Sequence, residues 1–346
     1  APVGRVPYEG GIPIRYVLKR LLITPLVLIG VVTVLFVLTR LIPGDPAQLA
    51  AGPKAGPEQV AQVRKDFGLD KPLPVQYVRY IQGLLRGDLG ISIQTNRPVK
   101  DDLKLYFPAT VELALCGVLI TVLLGVPLGV LSAVKVGSWP DHAGRVVALL
   151  GASVPIFWLG LAVQLLFFSH LGWLPANGRL DTLVQAPPNI TGFYLLDGLL
   201  SGHWSTWWNA LRHVILPAFT LSLGALAIIS RITRSNLLEA LSQDFIRSAR
   251  AKGLPERIVI FRHGLRNAMI PTLTIIGLQA GALLSGTFLV EVIFDWPGMG
   301  LYTVTAISTL DYAAIMGTAL VATLIYILTN LAVDLLYAVV DPRVRY

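Results

Sequence analysis

A single cysteine, Cys116, leaves no partner for a disulfide. Its place inside an apolar run also removes thiol-based metal clusters and redox exchange from consideration. Charge is scarce too: Asp, Glu, Lys and Arg make up 14% of the 346 residues, against 54% hydrophobic. A length that would allow two or three soluble domains therefore reads as an integral membrane chain. Three catalytic signatures are missing. There is no G-x-x-x-x-G-K-[ST] phosphate loop, so the chain has no P-loop with which to hydrolyse ATP, and neither H-E-x-x-H nor G-x-S-x-G occurs. The net charge of +8 comes from basic residues set between apolar runs, without aromatic-rich patches. That pattern is topogenic and does not point to nucleic acid.

What the chain has in quantity is charge-free apolar sequence. A bilayer core of roughly 30 Å takes about 20 helical residues, because backbone N–H groups inside it must be satisfied within the helix. Runs free of Asp, Glu, Lys and Arg extend over Leu21 to Thr39, Leu113 to Val134, Val146 to Ser169, Val214 to Ser230, Asn267 to Val290 and Tyr312 to Val333. The expectation is an all-α polytopic membrane protein of about six transmembrane helices. Ala1 to Arg20 resembles a signal peptide in being basic before an apolar stretch, but that stretch is too long and no A-x-A pattern follows, so a retained first span is expected. Arg15, Lys19 and Arg20 before it and Arg40 after it suit the two interfaces.

Between spans four and five the segment carries Arg231, Arg234, Arg247, Arg250, Lys252, Arg257, Arg262 and Arg266 against Glu239, Asp244 and Glu256. The positive-inside rule makes it cytoplasmic. The loop from Lys135 to Arg145 and the end bearing Arg343 and Arg345 agree, which places both termini inside; the connection from Ile42 to Phe107 is placed outside. The expected organisation is residues 1–41 as cytoplasmic N-terminus and first span, 42–107 as an extracytoplasmic insertion, and 108–346 as a five-helix core with a cytoplasmic loop at 233–266. Within the insertion, Pro57 to Phe67 and Pro74 to Leu85 read as short helices stopped by Gly68 and Gly87, the second with Val78, Ile81 and Leu85 on one face. Gly44-Asp45-Pro46 and Gly87-Asp88-Leu89-Gly90 read as turns. Trp173, Trp204, Trp207 and Trp208 suit an outer aromatic belt rather than a substrate cage.

The most informative stretch is Asn236 to Leu254. Leu238, Leu241, Phe245 and Ala249 recur at helical spacing on a segment too polar to span, so something must cover that face. Gly253 suits a left-handed C-cap and Pro255 discourages continuation. On pattern alone, such a helix either rests on headgroups or docks into a partner.

The residue order adds a resemblance. Arg247, Ser248, Ala249 and Gly253 resemble the cytoplasmic Glu-Ala-Ala…Gly loop of binding-protein-dependent ABC importer permeases. Asp244 to Leu254, continued by Arg262, His263, Leu265, Arg266, Asn267, Ala268 and Pro271, is similar to the dipeptide/oligopeptide/nickel branch. Arg247 departs from the general pattern's first Glu, and Pro271 lies farther from Gly253 than is general; both look like features of the branch. Pro43 to Pro46, Phe67 to Asp70, Gln76-Tyr77, Gly87 to Gly90, Glu291 to Gly300 and Asn330 to Arg343 extend the likeness over nearly the whole chain. The resemblance implies a type I ABC importer permease of a bacterial or archaeal inner membrane. Its implied partners are a second permease subunit, two cytoplasmic ATPase subunits that hold ATP and Mg, an extracytoplasmic solute-binding protein and the bilayer. No cofactor is implied in this chain. Peptides are the first implied substrate; nickel chelates and oligosaccharides are alternatives. Leu241, Asp244, Phe245, Arg247, Ala249, Arg250, Lys252 and Gly253 would then form an ATPase-coupling loop.

Gln164, Gln279, Ser285 and Thr287 are candidate pathway residues, with interhelical hydrogen bonding explaining them as well. Glu112, Glu291 and Asp334 lie near span ends and read as structural pairs. Gly125, Gly129, Gly277, Gly281 and Gly286 permit close helix approach, and Pro127, Pro155, Pro217 and Pro271 can kink spans. Two rival classes carry less: a secondary transporter would show repeats and buried ionisable groups, and Ser153 is a packing serine more readily than an intramembrane nucleophile.

Overall fold

The computed structural model describes residues 14–41, 46–52, 55–66 and 68–340. Regular structure among them is helical, apart from one isolated antiparallel bridge between Ile91 and Pro98. The chain runs α1 (Ile14–Leu41), α2 (Pro46–Ala51), α3 (Pro57–Asp66), α4 (Leu73–Leu85) and α5 (Val99–Val134). Next come α6 (Trp139–Ser153), α7 (Ile156–Gln164) with a π turn at Leu165–His170, α8 (Tyr194–Leu200) and α9 (Trp204–Ser242). Then follow α10 (Asp244–Ala251), α11 (Glu256–Ile258) with a π turn at Val259–Leu265, α12 (Arg266–Ile293), α13 (Met299–Ser308) and α14 (Tyr312–Val340). The predicted turn at Gly44 and Asp45, Phe67, the terminal Arg343 and Arg345, and the side chains of Arg15, Lys19, Arg20, Arg40 and Asp334 lie outside the described residues.

Five helices are long and apolar enough to cross a membrane, or six if one bent pair is a single span. That pair covers the third span expected over Val146 to Ser169, with a bend at Pro155 far sharper than a kink within one helix. Trp139–Gly151 and Ile156–His170 meet at 112°. The cause is local: Pro155 disfavours helical geometry at the residue before it, and Val154 is extended at φ −88, ψ 131. The Pro155 carbonyl then accepts from the N–H of Trp158 and Leu159, starting a new helix in a new direction. Pro127, Pro217 and Pro271 instead stay inside continuous helices.

The centre is α5 packed along α9, with α12 against both, α6 and α7 on α9, and α14 bridging α12 to α1. Glycines set the α5–α9 approach. A Cβ on Gly125 would lie 3.3 Å from Ile229, and one on Gly129 would lie 2.6 Å from the Ser230 carbonyl oxygen and 2.7 Å from the Thr233 Cβ. Because the obstacle at Gly129 is partly backbone, Gly129→Leu must push the helices apart, at an expected cost of about 1–3 kcal/mol. Thermal unfolding in detergent reads this; an unchanged midpoint would contradict the close crossing. Gly281 meets Thr329 in the same way, whereas Gly286 has nothing within 4 Å and supports no crossing within this chain.

At 36 and 39 residues, α5 and α9 reach about 54 and 58 Å at 1.5 Å per residue, well beyond a bilayer core. The expected boundary at residue 107 thus falls inside α5. The surplus at the α5 start meets a loop held by buried carboxylates. Asp311 accepts from Ser92 Oγ at 2.6 Å and the Gln94 N–H at 3.2 Å; Asp102 pairs with Arg97 at 2.6 Å and accepts from Tyr302 at 3.0 Å. The two short helices of the insertion form as α3 and α4, with Gly68 and Gly87 at φ +64 and +75 after them. The packing face of α4 differs from the expected one. Val78 and Leu85 are exposed, while Tyr77 and Tyr80 pack on Phe36 of α1 at ring distances of 5.3 and 6.3 Å, and the Tyr77 hydroxyl meets Thr33 Oγ1 at 2.7 Å. Aromatic area outweighed the aliphatic stripe.

Candidate functional site

The amphipathic segment is built differently from the single helix expected over Asn236 to Leu254. The spanning helix α9 continues to Ser242, where Gln243 turns extended at φ −76, ψ 156, and α10 begins afresh. Leu238 and Leu241 therefore sit on α9, half-buried, and Phe245 and Ala249 sit on α10, the first exposed and the second buried. Phe245 is 41% exposed; Ala249 and the neighbouring Ile246 are buried. Ile246, which the expected stripe omitted, is the anchor: it packs with Ala249, Val259, Leu241 and Leu254.

Three features fix α10 in place. Gly253 adopts φ +73, a left-handed geometry that a side chain would strain. Pro255 then accepts from the Ile258 and Val259 N–H groups, opening α11. Arg250 reaches Glu256 with both Nε and Nη2, at 3.1 and 2.6 Å, and that carboxylate raises the guanidinium above its ordinary pKa. Behind them Gly264 lets the π turn approach α9, where a Cβ would lie 2.8 Å from Leu241.

The outward face thus presents Phe245, Arg247, Ser248 and Lys252, with Asp244 at its start only 3.4 Å from Arg247 in a fully solvated pair. Such a pair adds little stability. An exposed aromatic ringed by charges, on a short helix held rigidly from behind, has the composition of an interface anchor with a polar rim.

The pathway candidates separate. The Gln164 amide donates to the carbonyls of Ala176 and Ile293, both at 3.1 Å, tying the end of α7 to α12 and to the loop at Ala176. Gln279 is half-buried on α12, and the Ser285 side chain lies outside the described residues. Thr287 is buried and lines a cavity of about 350 Å³ between α12, α13 and α14, with Thr110, Thr303, Thr318, Thr323 and Tyr326. Thr303, Thr318 and Thr323 each donate to the carbonyl four residues earlier, at 2.6–2.8 Å. Their free lone pairs make this wall one of acceptors.

Glu291 lies behind that lining, bonded to two of its residues, Thr110 and Gly300. Fully buried, it accepts from Thr110 Oγ1 at 2.7 Å and from the Gly300 and Leu301 N–H groups at 2.6 and 3.3 Å, capping the start of α13. Glu112 takes a different partner, Arg179, in the connection before α8. Glu112 is thus paired with a cation, as expected, whereas Glu291 has no ion pair among the described residues and is held by hydroxyl and backbone donors. Among the described residues, no group of three or more His, Cys, Asp or Glu could hold a metal.

Residues 125–346 match the family described as binding-protein-dependent transport system inner membrane component, and residues 13–114 match its N-terminal counterpart. The chain is 50% identical to a probable D,D-dipeptide transport system permease protein of Escherichia coli, over 92% of this chain and 94% of that one. It is 44% identical to a dipeptide transport system permease protein of Alkalihalophilus pseudofirmus, over 96% and 100%. With a glutathione transport system permease protein of Salmonella paratyphi A it shares 40%, over 96% and 99%. With a family match over most of its length and end-to-end relatives, the chain belongs to the binding-protein-dependent transport system inner membrane components.

Proposed function

We propose that this chain forms half of the translocation pathway of an ATP-driven importer for short peptides, with α10 as the lever through which cytoplasmic ATPase subunits drive it. The observation that carries this reading is the two-sided character of α10: Ile246 and Ala249 fixed to the chain's own core, Phe245, Arg247 and Lys252 exposed for a partner. A rigid element joined directly to α9 transmits a push from the ATPase pair to the central helix pair, biasing a two-state pore. ATP and Mg belong to the ATPase subunits, a second permease supplies the other half of the pore, and an extracytoplasmic solute-binding protein delivers the cargo. The arginine-rich α9–α12 connection faces the cytoplasm with both termini. Peptides, rather than nickel chelates or oligosaccharides, are supported by the dipeptide cargo in the relatives' names and by the acceptor wall beside α12, which suits the N–H donors of a peptide.

The test is Phe245→Ala in the assembled complex. Losing a central aromatic anchor costs about 2 kcal/mol, or roughly thirtyfold in docking. Receptor-stimulated ATP hydrolysis and uptake of labelled dipeptide should fall together, with less ATPase subunit copurifying. Normal uptake in this variant would overturn the lever. Labelling of Ser248→Cys by an impermeant reagent from the outer side would overturn the orientation.

A further inference from the structure

A second cavity, of about 470 Å³, lies between α5, α6 and α9, away from α10 and the α12–α14 wall. Its two ends differ in chemistry. The helices α6 and α9 run antiparallel here: Asp141 meets Arg234 at one end, and Gly151 abuts the Leu223 carbonyl at the other. Arg145, Arg231 and Arg234 line the first end, whereas Ala148, Leu149 and Ile228 line the side toward the second.

Asp141, fully buried, bridges two of the three cations. It accepts from Arg145 Nη2 at 2.5 Å and from Arg234 Nε at 2.9 Å. Arg231 has no ion pair among the described residues and is exposed. Three guanidinium groups against one carboxylate leave two positive charges uncompensated, and Arg145 and Arg234 keep N–H groups to spare because each guanidinium carries five. Asp141 therefore orients the cations without neutralising the cluster.

The mouth opens on an apolar surface. Leu149 is 67% exposed, with Val146 and Leu150 beside it at 55% and 52%, and Trp139, where α6 begins, is 82% exposed. A tryptophan at that position suits the headgroup level, and cations between helix ends just below an apolar face match the geometry of an anionic lipid.

We infer that this cavity is a binding site for an anionic phospholipid, its phosphate held by Arg231 with the spare N–H groups of Arg145 and Arg234, and its acyl chains laid over Leu149 and Ile228. Free phosphate would satisfy the cationic end alone and leave the apolar half in water. A zwitterionic lipid would bring its own ammonium group against two uncompensated positive charges.

Native mass spectrometry of the full-length chain in its complex, released from nanodiscs of mixed phosphatidylglycerol and phosphatidylcholine, tests this. Phosphatidylglycerol should be retained in preference to phosphatidylcholine. Arg231→Gln should weaken retention about fivefold, the factor expected for one basic residue at a membrane surface. Ala148→Phe, which fills the apolar half and leaves every charge in place, should weaken it as well, and inorganic phosphate at millimolar concentration should not displace the lipid. Equal retention of both lipids, unchanged retention in both variants, or displacement by inorganic phosphate would each overturn the assignment.

Discussion

Arg179→Met is expected to destabilise the protein by about 3–5 kcal/mol, because it strands a buried carboxylate without its counter-charge. The Arg179 and Glu112 side chains are 6% and 5% exposed, so water cannot take over the lost role. Arg179 also donates to the Gly192 carbonyl at 3.1 Å and lies 3.5 Å over the Tyr194 ring, while Glu112 accepts from the Leu195 N–H at 2.8 Å. The pair thus fastens the connection before α9, including the start of α8, onto α5. Removing both charges is a different experiment. Arg179→Met with Glu112→Gln leaves a neutral acceptor for Leu195 and no orphaned ion, so most of the loss should return, as it does when buried pairs are replaced together. Chemical and thermal unfolding of the intact complex in detergent distinguishes the cases. If the single variant unfolds with the wild type, the carboxylate reaches solvent and the connection before α9 is held by something else.

The parts of this architecture that were legible in the sequence are those fixed by local rules. Apolar runs located α1, α5, α9, α12 and α14, since a bilayer demands length and apolarity from each segment by itself. Gly253 foretold a left-handed position, and Gly68, Gly87 and Pro255 the ends of helices, because backbone sterics act over one or two residues. The third span was misread in its path: Pro155 was recognised as a kink, but the size of the bend depends on what α6 and α7 pack against. Gln243 gave no warning at all, having neither the φ freedom of Gly nor the missing donor of Pro, and so the break before α10 and the anchoring role of Ile246 went unseen. Long-range ties were equally opaque. Glu112 was readable as a paired residue, whereas Glu291 was expected to pair and instead takes hydroxyl and backbone donors; none of the partners was readable: Arg179 lies 67 positions from Glu112, Thr110 lies 181 from Glu291, and Ser92 lies 219 from Asp311. A single sequence carries no signal for such distances.

Ile246→Asp is expected to abolish ATP-driven uptake while leaving the membrane helices folded. Burying the Ile246 side chain contributes about 1.5–3 kcal/mol, and a carboxylate in that site would face Leu241, Leu254 and Val259 with no cation inside the cluster to meet it. An eight-residue helix cannot persist in water without tertiary support, so the Asp side chain escapes by detaching α10 rather than by unfolding the α5–α9 pair. On the proposed coupling role, the lever would then no longer be rigid and nothing would push α9. Ile246→Val, which keeps the cluster apolar, should cost only about 0.5–1.5 kcal/mol and preserve transport. Hydrogen exchange supplies a readout independent of activity: amides of residues 244–251 should lose protection in Ile246→Asp, while those of α5 and of α9 up to residue 235 keep theirs. Retained uptake with an unprotected α10 would mean that the pore is driven through some other contact, and the two-sided helix would lose its function as a lever.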